Sequence, residues 1–358
     1  MVEGKFCTAE NAEERTAGNL RDIAPIYEGT RGLLFVGQSS AFGLPEPSID
    51  GAISNTIFQY VGTVHKNSIY PLFGHNYCLD ATKMEIERKI MTMNFIRRGA
   101  GKPLVLIHGL GGSWREWTPI LDGLAAEREV IAVDLPGFGS TPPLSGEVSI
   151  ATLADAVTEF LNENDLKGVD VVGSSMGARL VLELARRGVV GATVSLDPGG
   201  FWQGWEQTLF STSIALSVRL VRLLQPVIKV FTGNPIGRTL LFAQFSAHPW
   251  RLSPDVSLEE MRTFAASPSF DELLHQLVHG PAQQGATAGS TRGPITIGWG
   301  RQDRVCLPRQ AQRAMQLFPD ARLHWFDNCG HFPQWDVPQE AIQLILNNTS
   351  KNNGVQAS

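Results

Sequence analysis

The sequence predicts an α/β protein built on a mostly parallel sheet with helices on both faces. Three observations carry this. Short runs rich in Val and Ile recur between residues 103 and 327, most are apolar on both faces, and helix-like segments separate them. Strands buried on both faces need a helical layer on each side. Parallel neighbours also need long crossovers, so the alternation selects this class.

The runs follow in order: "PLVLIH" (Pro103–His108), "EVIAVD" (Glu129–Asp134), "GVDVVGS" (Gly168–Ser174), "GATVSLD" (Gly191–Asp197), "PITIGW" (Pro294–Trp299) and "RLHWFD" (Arg322–Asp327). A further strand in "MNFIRRGAGK" precedes them, and "SIATLADAVTEFLNEN" and "PRQAQRAMQLFP" read as crossover helices. Between Asp197 and Pro294 the strand pattern stops. "TSIALSVRLVRLLQPVIKVF", "IGRTLLFAQF" and "FDELLHQLVHG" are helical in character. A helical insertion of that length between core strands is expected to cap the carboxyl ends of the strands, where α/β folds bind ligands. The expected organisation is an N-terminal extension over 1–92 with no motif, a core over 93–197 and 291–348, a helical cap over 198–290, and a disordered tail over 349–358.

Composition narrows the function. A chain with 43% hydrophobic and 18% charged residues folds into a large core, and a formal charge of -5 gives no reason to expect nucleic acid as a partner. No run is long enough to span a bilayer, so no membrane insertion is expected. The four cysteines include no CxxC pair, which argues against structural zinc and a disulfide scaffold, and the acidic N-terminus lacks the pattern of a signal peptide. A reducing cytoplasm is the expected setting, and no disulfide between Cys306 and Cys329 is expected.

The chemistry concentrates where a strand gives way to a helix, in "GSSMG". A nucleophile held at such a corner needs small residues two before and two after it, because the helix passes close to the strand. Gly173 and Gly177 satisfy that spacing around Ser175, whereas centring on Ser174 would put Val172 and Met176 in the tight positions. Ser175 is therefore the expected nucleophile. A serine hydroxyl needs a base, and the base an orienting acid. His331 follows the Leu323–Phe326 run and Asp303 follows the Ile295–Trp299 run, so both belong at the sheet edge of Ser175. Asp197, at another strand end, is the rival acid; the Pro198-Gly199-Gly200 after it reads as the start of the cap. His324 lies within a strand and reads as structural, as does His108. His275 and His279 stand i, i+4 with no Glu between them, a weak metal pattern, so no metal and no cofactor are expected. Backbone N–H groups of Met176 and of Leu110, in the Gly-rich "HGLGGSW", are the expected oxyanion donors. Gly109, Phe201, Trp202 and Phe332 are candidate pocket residues, and Arg219, Arg222 and Arg238 are expected on solvated faces of cap helices.

From about Met93 to Asn348 the chain resembles the α/β-hydrolases of the serine esterase, haloperoxidase-like and C–C hydrolase group, through "HGLGG", "DLPGFGS", the elbow, the acid after the penultimate strand and "GHFPQWDVP". The resemblance implies the α/β-hydrolase fold, a Ser-Asp-His triad and a structural Asp134. Members that use an aspartate at the elbow, the epoxide hydrolases and haloalkane dehalogenases, are disfavoured by Ser175. C–C hydrolases usually carry Asn before the serine and a Gly-Pro-Gly loop, where this sequence has Ser174 and "GLGGS". The expectation is a carboxylesterase acting on a small-molecule ester of short to medium chain. A C–C hydrolase of ring-cleavage products is the alternative, and a non-catalytic ligand-binding member is a third reading.

Overall fold

The computed structural model describes residues 28–29, 32–38, 57–62, 64–65, 68–69 and 93–349. The chain divides into two units, Met1–Ile90 and Met91–Ser358. In the first, β1 (Glu28–Gly29), β2 (Gly32–Gln38) and β3 (Ile57–Gly62) form an antiparallel sheet, and β4 (Val64–His65) pairs with β5 (Ser68–Ile69). In sequence, "NTIFQYVGTV" (55–64) offers a strand, and β3 falls within it. The "GQSSAFGLPEPSIDG" stretch (37–51) reads as a loop, but Gly37 and Gln38 end β2; the rest of that stretch and the tail over 350–358 lie outside the described residues. The tail was expected to begin at 349, but Thr349 ends the last helix, buried, where it accepts a hydrogen bond from Arg128 Nη1 at 2.7 Å.

In the second unit seven strands form one sheet in the order β12-β11-β10-β9-β7-β8-β6. They are β6 (Phe95–Arg98), β7 (Pro103–Ile107), β8 (Glu129–Val133), β9 (Asp170–Ser174), β10 (Thr193–Leu196), β11 (Ile295–Gly300) and β12 (Arg322–Phe326). All neighbours are parallel except β6, which runs antiparallel to β8 at the edge. Successive side chains leave a strand on opposite faces. Val105, Ile107, Ile131, Val133 and Val171 accordingly enter one core, and Leu104, Leu106, Val130, Ala132 and Val172 the other. On the second face lie α1 (Thr118–Ala125) and the terminal helix Pro338–Thr349. On the first lie α2 (Ile150–Glu163) and α3 (Met176–Arg186). This double coverage explains why the central strands are apolar throughout.

Between β10 and β11 the chain forms α4 (Trp205–Leu224), α5 (Ile228–Gly233), α6 (Pro235–Phe242), α7 (Pro254–Ala266) and α8 (Phe270–His279). The long α4 buries Phe210, Ile214, Val218 and Val221, a stripe at helical spacing, and leaves Leu216, Leu220 and Leu223 exposed. After β11 come α9 (Gln310–Leu317), the short α10 (Pro333–Asp336) and α11 (Pro338–Thr349). No helix among the described residues is long and apolar enough to cross a membrane.

Candidate active site

Ser175 occupies the corner between β9 and α3 with φ 54° and ψ −113°, a conformation that L-residues rarely adopt. The corner exists because its neighbours are glycines. A Cβ on Gly173 would collide with the Gly177 carbonyl, and one on Gly177 would collide with the carbonyls of Ile107 and His108. Gly177→Val is therefore expected to destabilise the fold by about 3 kcal/mol or more, since the obstruction is backbone and cannot rotate away. Thermal unfolding measures this; a melting temperature equal to wild type would mean the elbow is looser than the geometry requires.

The corner aims Ser175 Oγ at His331 Nε2, 2.7 Å away, and His331 Nδ1 lies 2.9 Å from Asp303 Oδ2. A carboxylate only accepts, so the Nδ1 proton points to Asp303 and Nε2 is free to accept from the serine hydroxyl. Asp303 is buried and fixed through Oδ1 by the N–H groups of Val305 (2.7 Å) and Cys306 (3.0 Å). Asp197 does not reach the imidazole: its Oδ1 accepts from Gly300 N–H at 2.7 Å. Burial, with the neighbouring Asp303 carboxylate, pushes the Asp197 carboxyl well above its ordinary range. Ligand atoms of Asp303, Cys306 and His331 lie within 4.8 Å of one another, close enough to share a metal ion. The Asp303 and His331 atoms are already bonded to each other, and burial keeps the Cys306 thiol protonated and a poor ligand. Cys306 and Cys329 are free thiols. His275 and His279 stand exposed on α8, with no third ligand beside them among the described residues.

The loop after β7 is shaped by buried polar groups. Nε2 of His108 accepts from Leu135 N–H at 3.0 Å and its Nδ1 donates to Gly109 O at 2.7 Å, while burial lowers its pKa, so it is a neutral spacer. Asp134 accepts from Asn94 Nδ2, Trp114 N–H and Ser140 N–H, at 2.7 to 2.9 Å. Gly109 N–H donates to Glu116 Oε2 at 2.9 Å, and Leu110 N–H has no acceptor among the described residues. Met176 opens α3, where an N–H has no intrahelical acceptor. Both Leu110 and Met176 line the cavity that Ser175 faces.

That cavity holds about 680 Å³ of empty space with its solvent-filled mouth included. Trp202, Phe210, Ile214, Phe245, Met261 and Phe264 of the helical insertion form one wall, with Phe332 and Trp335 opposite them in sequence origin. Two expected pocket residues lie elsewhere. Gly109 sits behind the lining, with its N–H committed to Glu116 and its Cα against the Ser175 side chain. Phe201 is buried edge-on against Trp299, which its own apolar surface favours over an open cavity. One expected surface cation is also displaced: Arg238 is buried, donating to the carbonyls of Thr232 and Trp250, whereas Arg222 pairs with Asp271 and Arg219 is exposed. None of the three lines the cavity.

The insertion is also fastened to the histidine loop. His331 N–H donates to Phe245 O at 2.8 Å, and Asp336 accepts from Ser246 Oγ, Ala247 N–H and Gly330 N–H.

The profile of the alpha/beta hydrolase family matches residues 104–344. The chain belongs to this family. A 2-hydroxy-6-oxo-2,4-heptadienoate hydrolase of Pseudomonas putida is 28% identical over 260 residues, covering 69% of this chain and 88% of that protein. A dihydrolipoyllysine-residue acetyltransferase component of an acetoin cleaving system, from Cupriavidus necator, is 29% identical over 264 residues, 71% and 65% of the two chains. Among solved structures, a thermophilic esterase from Thermogutta terrifontis superposes with TM-score 0.56 at 18% identity, covering 71% of this chain and 92% of the other.

Sequence reasoning missed three polar residues of this alpha/beta hydrolase. Glu116 is buried, and its Oε1 accepts from Gln334 Nε2 at 3.0 Å, which also donates to Ser174 Oγ at 3.0 Å. Ser174 thus points away from the cavity into this network. Burial raises the Glu116 pKa to about 7 against the opposing hydrogen bonds of Gly109, Ser174 and Gln334. Glu260, on α7, lines the same cavity as Glu116. A signal for Glu260 was present in the sequence: Ser257, Glu260, Met261 and Phe264 fall at i, i+3, i+4 and i+7, so Glu260 takes an inward position of the helix.

Proposed function

We propose that this alpha/beta hydrolase is a serine carboxylesterase acting on short- to medium-chain esters. His331 Nε2 takes the Ser175 proton as Oγ bonds to the ester carbonyl carbon, and the carbonyl oxygen, now an anion, accepts from Leu110 and Met176 N–H. The bond to the alcohol breaks and the alcohol leaves with the proton from His331. Water then gives a proton to His331 and attacks the acyl carbon. The second tetrahedral species collapses, Ser175 recovers its proton, and the acid is released.

One observation carries the choice of ester. Apart from His331, the charged or titratable side chains lining the cavity are the carboxyls Glu116 and Glu260, with no Lys or Arg. A dienoate such as the one named for the Pseudomonas putida relative is a carboxylate anion, and it would meet two carboxyls and no Lys or Arg in a desolvated site. The relatives support C–C hydrolysis as a second reading; the acidic lining weighs against it.

Hydrolysis of p-nitrophenyl esters from acetate to palmitate tests the proposal. Turnover is expected to be highest for the short chains and to fall as the acyl chain outgrows the cavity. A folded enzyme that ignores the whole series but cleaves a 2-hydroxy-6-oxo-dienoate would overturn it.

A further inference from the structure

Glu260 sits where a helix normally places a hydrophobe. Its side chain is turned inward with Met261 and Phe264, the residue is only 6% exposed, and it lines the cavity that holds Ser175. Among the described residues it makes no hydrogen bond and no ion pair, and its Oε1 is shut off from solvent without a partner. Most other buried carboxyls are provided for; Asp197 leaves Oδ2 unpartnered but accepts from Gly300 N–H through Oδ1. Asp170 has Arg128 and Lys102, Glu183 has Arg186 and Arg187, Glu206 has Arg309 and Arg313, and Asp134 has its three N–H donors. An unpartnered buried carboxyl is destabilising, and a native structure that keeps one needs a reason.

The surroundings of Glu260 indicate what partner is missing. Glu116 and Arg115 both act on it electrostatically, but Arg115 makes no ion pair with it and does not line the cavity, so the two lining carboxyls, Glu116 and Glu260, face the cavity without a cation among its lining residues. Beside aliphatic residues such as Ile214, Met261 and Leu277, the lining carries the aromatic rings of Trp202, Phe210, Phe245, Phe264, Phe332 and Trp335. Aromatic faces attract cations through their quadrupole. Burial shifts the Glu260 carboxyl toward its neutral form, and a cation entering beside it favours the ionised form. An anion finds no counter-charge here.

We propose that Glu260 is a specificity residue that anchors a positively charged nitrogen, an amine or quaternary ammonium group, carried by the ester substrate. The substrate class is then a cationic ester whose charged head lies in the aromatic, acidic end of the cavity while its carbonyl meets Ser175. This rests on the esterase reading, and the experiment below separates the two.

The probes are butyrylcholine and its neutral carbon isostere, 3,3-dimethylbutyl butyrate, which differ in charge and hardly in shape. Calorimetric binding to Ser175→Ala, which needs no turnover, is expected to favour the cation by about tenfold or more. Adding Glu260→Gln is expected to cut that ratio by about fivefold or more, the aromatic rings keeping the remainder. Glu260→Met, which replaces the unpartnered carboxyl by an apolar side chain suited to that helix face, serves if the glutamine variant does not fold and is expected to give the same loss. The ratio within each variant cancels any general weakening of the site. Equal binding of the two probes before Glu260 is changed, or a preference that both substitutions leave undiminished, would overturn the proposal. A cation preference that depends on Glu260 in a protein that hydrolyses no ester would leave the subsite standing and remove the esterase.

Discussion

Replacing Ser175 by alanine is expected to lower kcat on p-nitrophenyl butyrate by about 10⁵-fold or more, because the triad acts as a unit and its loss leaves only binding and oxyanion contacts. Labelling by a fluorophosphonate should vanish with it. Turnover within tenfold of wild type would mean that another group is the nucleophile. The same position also tests the strain at the elbow. At φ 54° and ψ −113° a Cβ is unfavourable by about 1–3 kcal/mol, and alanine keeps that Cβ while glycine removes it. Ser175→Gly is therefore expected to melt above Ser175→Ala, by about 2–4 °C for each kcal/mol recovered in a unit of this size. Both variants are expected to be inactive, so the difference between them isolates the backbone contribution from the chemistry.

Asp303→Asn is expected to reduce kcat by about 10⁴-fold while leaving the fold intact, because an amide can present its N–H₂ to His331 Nδ1 and reverse the tautomer. Asp197→Asn provides the contrast. Its Oδ1 bonds Gly300 N–H and its Oδ2 is buried without a partner, and burial beside Asp303 favours the protonated form. Asparagine matches that neutral form in shape, so this variant is expected to keep most of its turnover. A loss at Asp197 as severe as that at Asp303 would show that the two carboxyls work as a coupled pair. Steady-state kinetics on both variants, with circular dichroism to verify folding, decides between these outcomes.

The sheet and the relay could be read before the structure because each depends on local pattern. Apolar runs at crossover spacing give strands, and the small residues flanking Ser175 are demanded by the close passage of α3 over β7. Asp303 and His331 were legible as polar residues just beyond strands on the same sheet edge. Direction was harder to read than position. Gly109 and Phe201 stand next to motif residues in sequence, yet one faces Glu116 and the other Trp299. Arg238 follows the Asn234 cap of α6, and that turn points it inward to two carbonyls. Glu116 and Glu260 escaped notice because a carboxylate on a helix ordinarily faces water. The N-terminal unit offered no motif from which chemistry could be argued.

The fastening of the insertion to the histidine loop bears on how the site breathes. Phe245 supplies both a ring to the cavity wall and the carbonyl that holds His331, while Asp336 brackets Ser246 and Ala247 to Gly330. Wall and base therefore share one hinge pin. If the whole insertion swung outward as a rigid flap, it would drag the imidazole off Ser175 and interrupt the relay at the moment the mouth opened. An opened gate and an armed nucleophile are thus mutually exclusive for any motion that breaks this bracket.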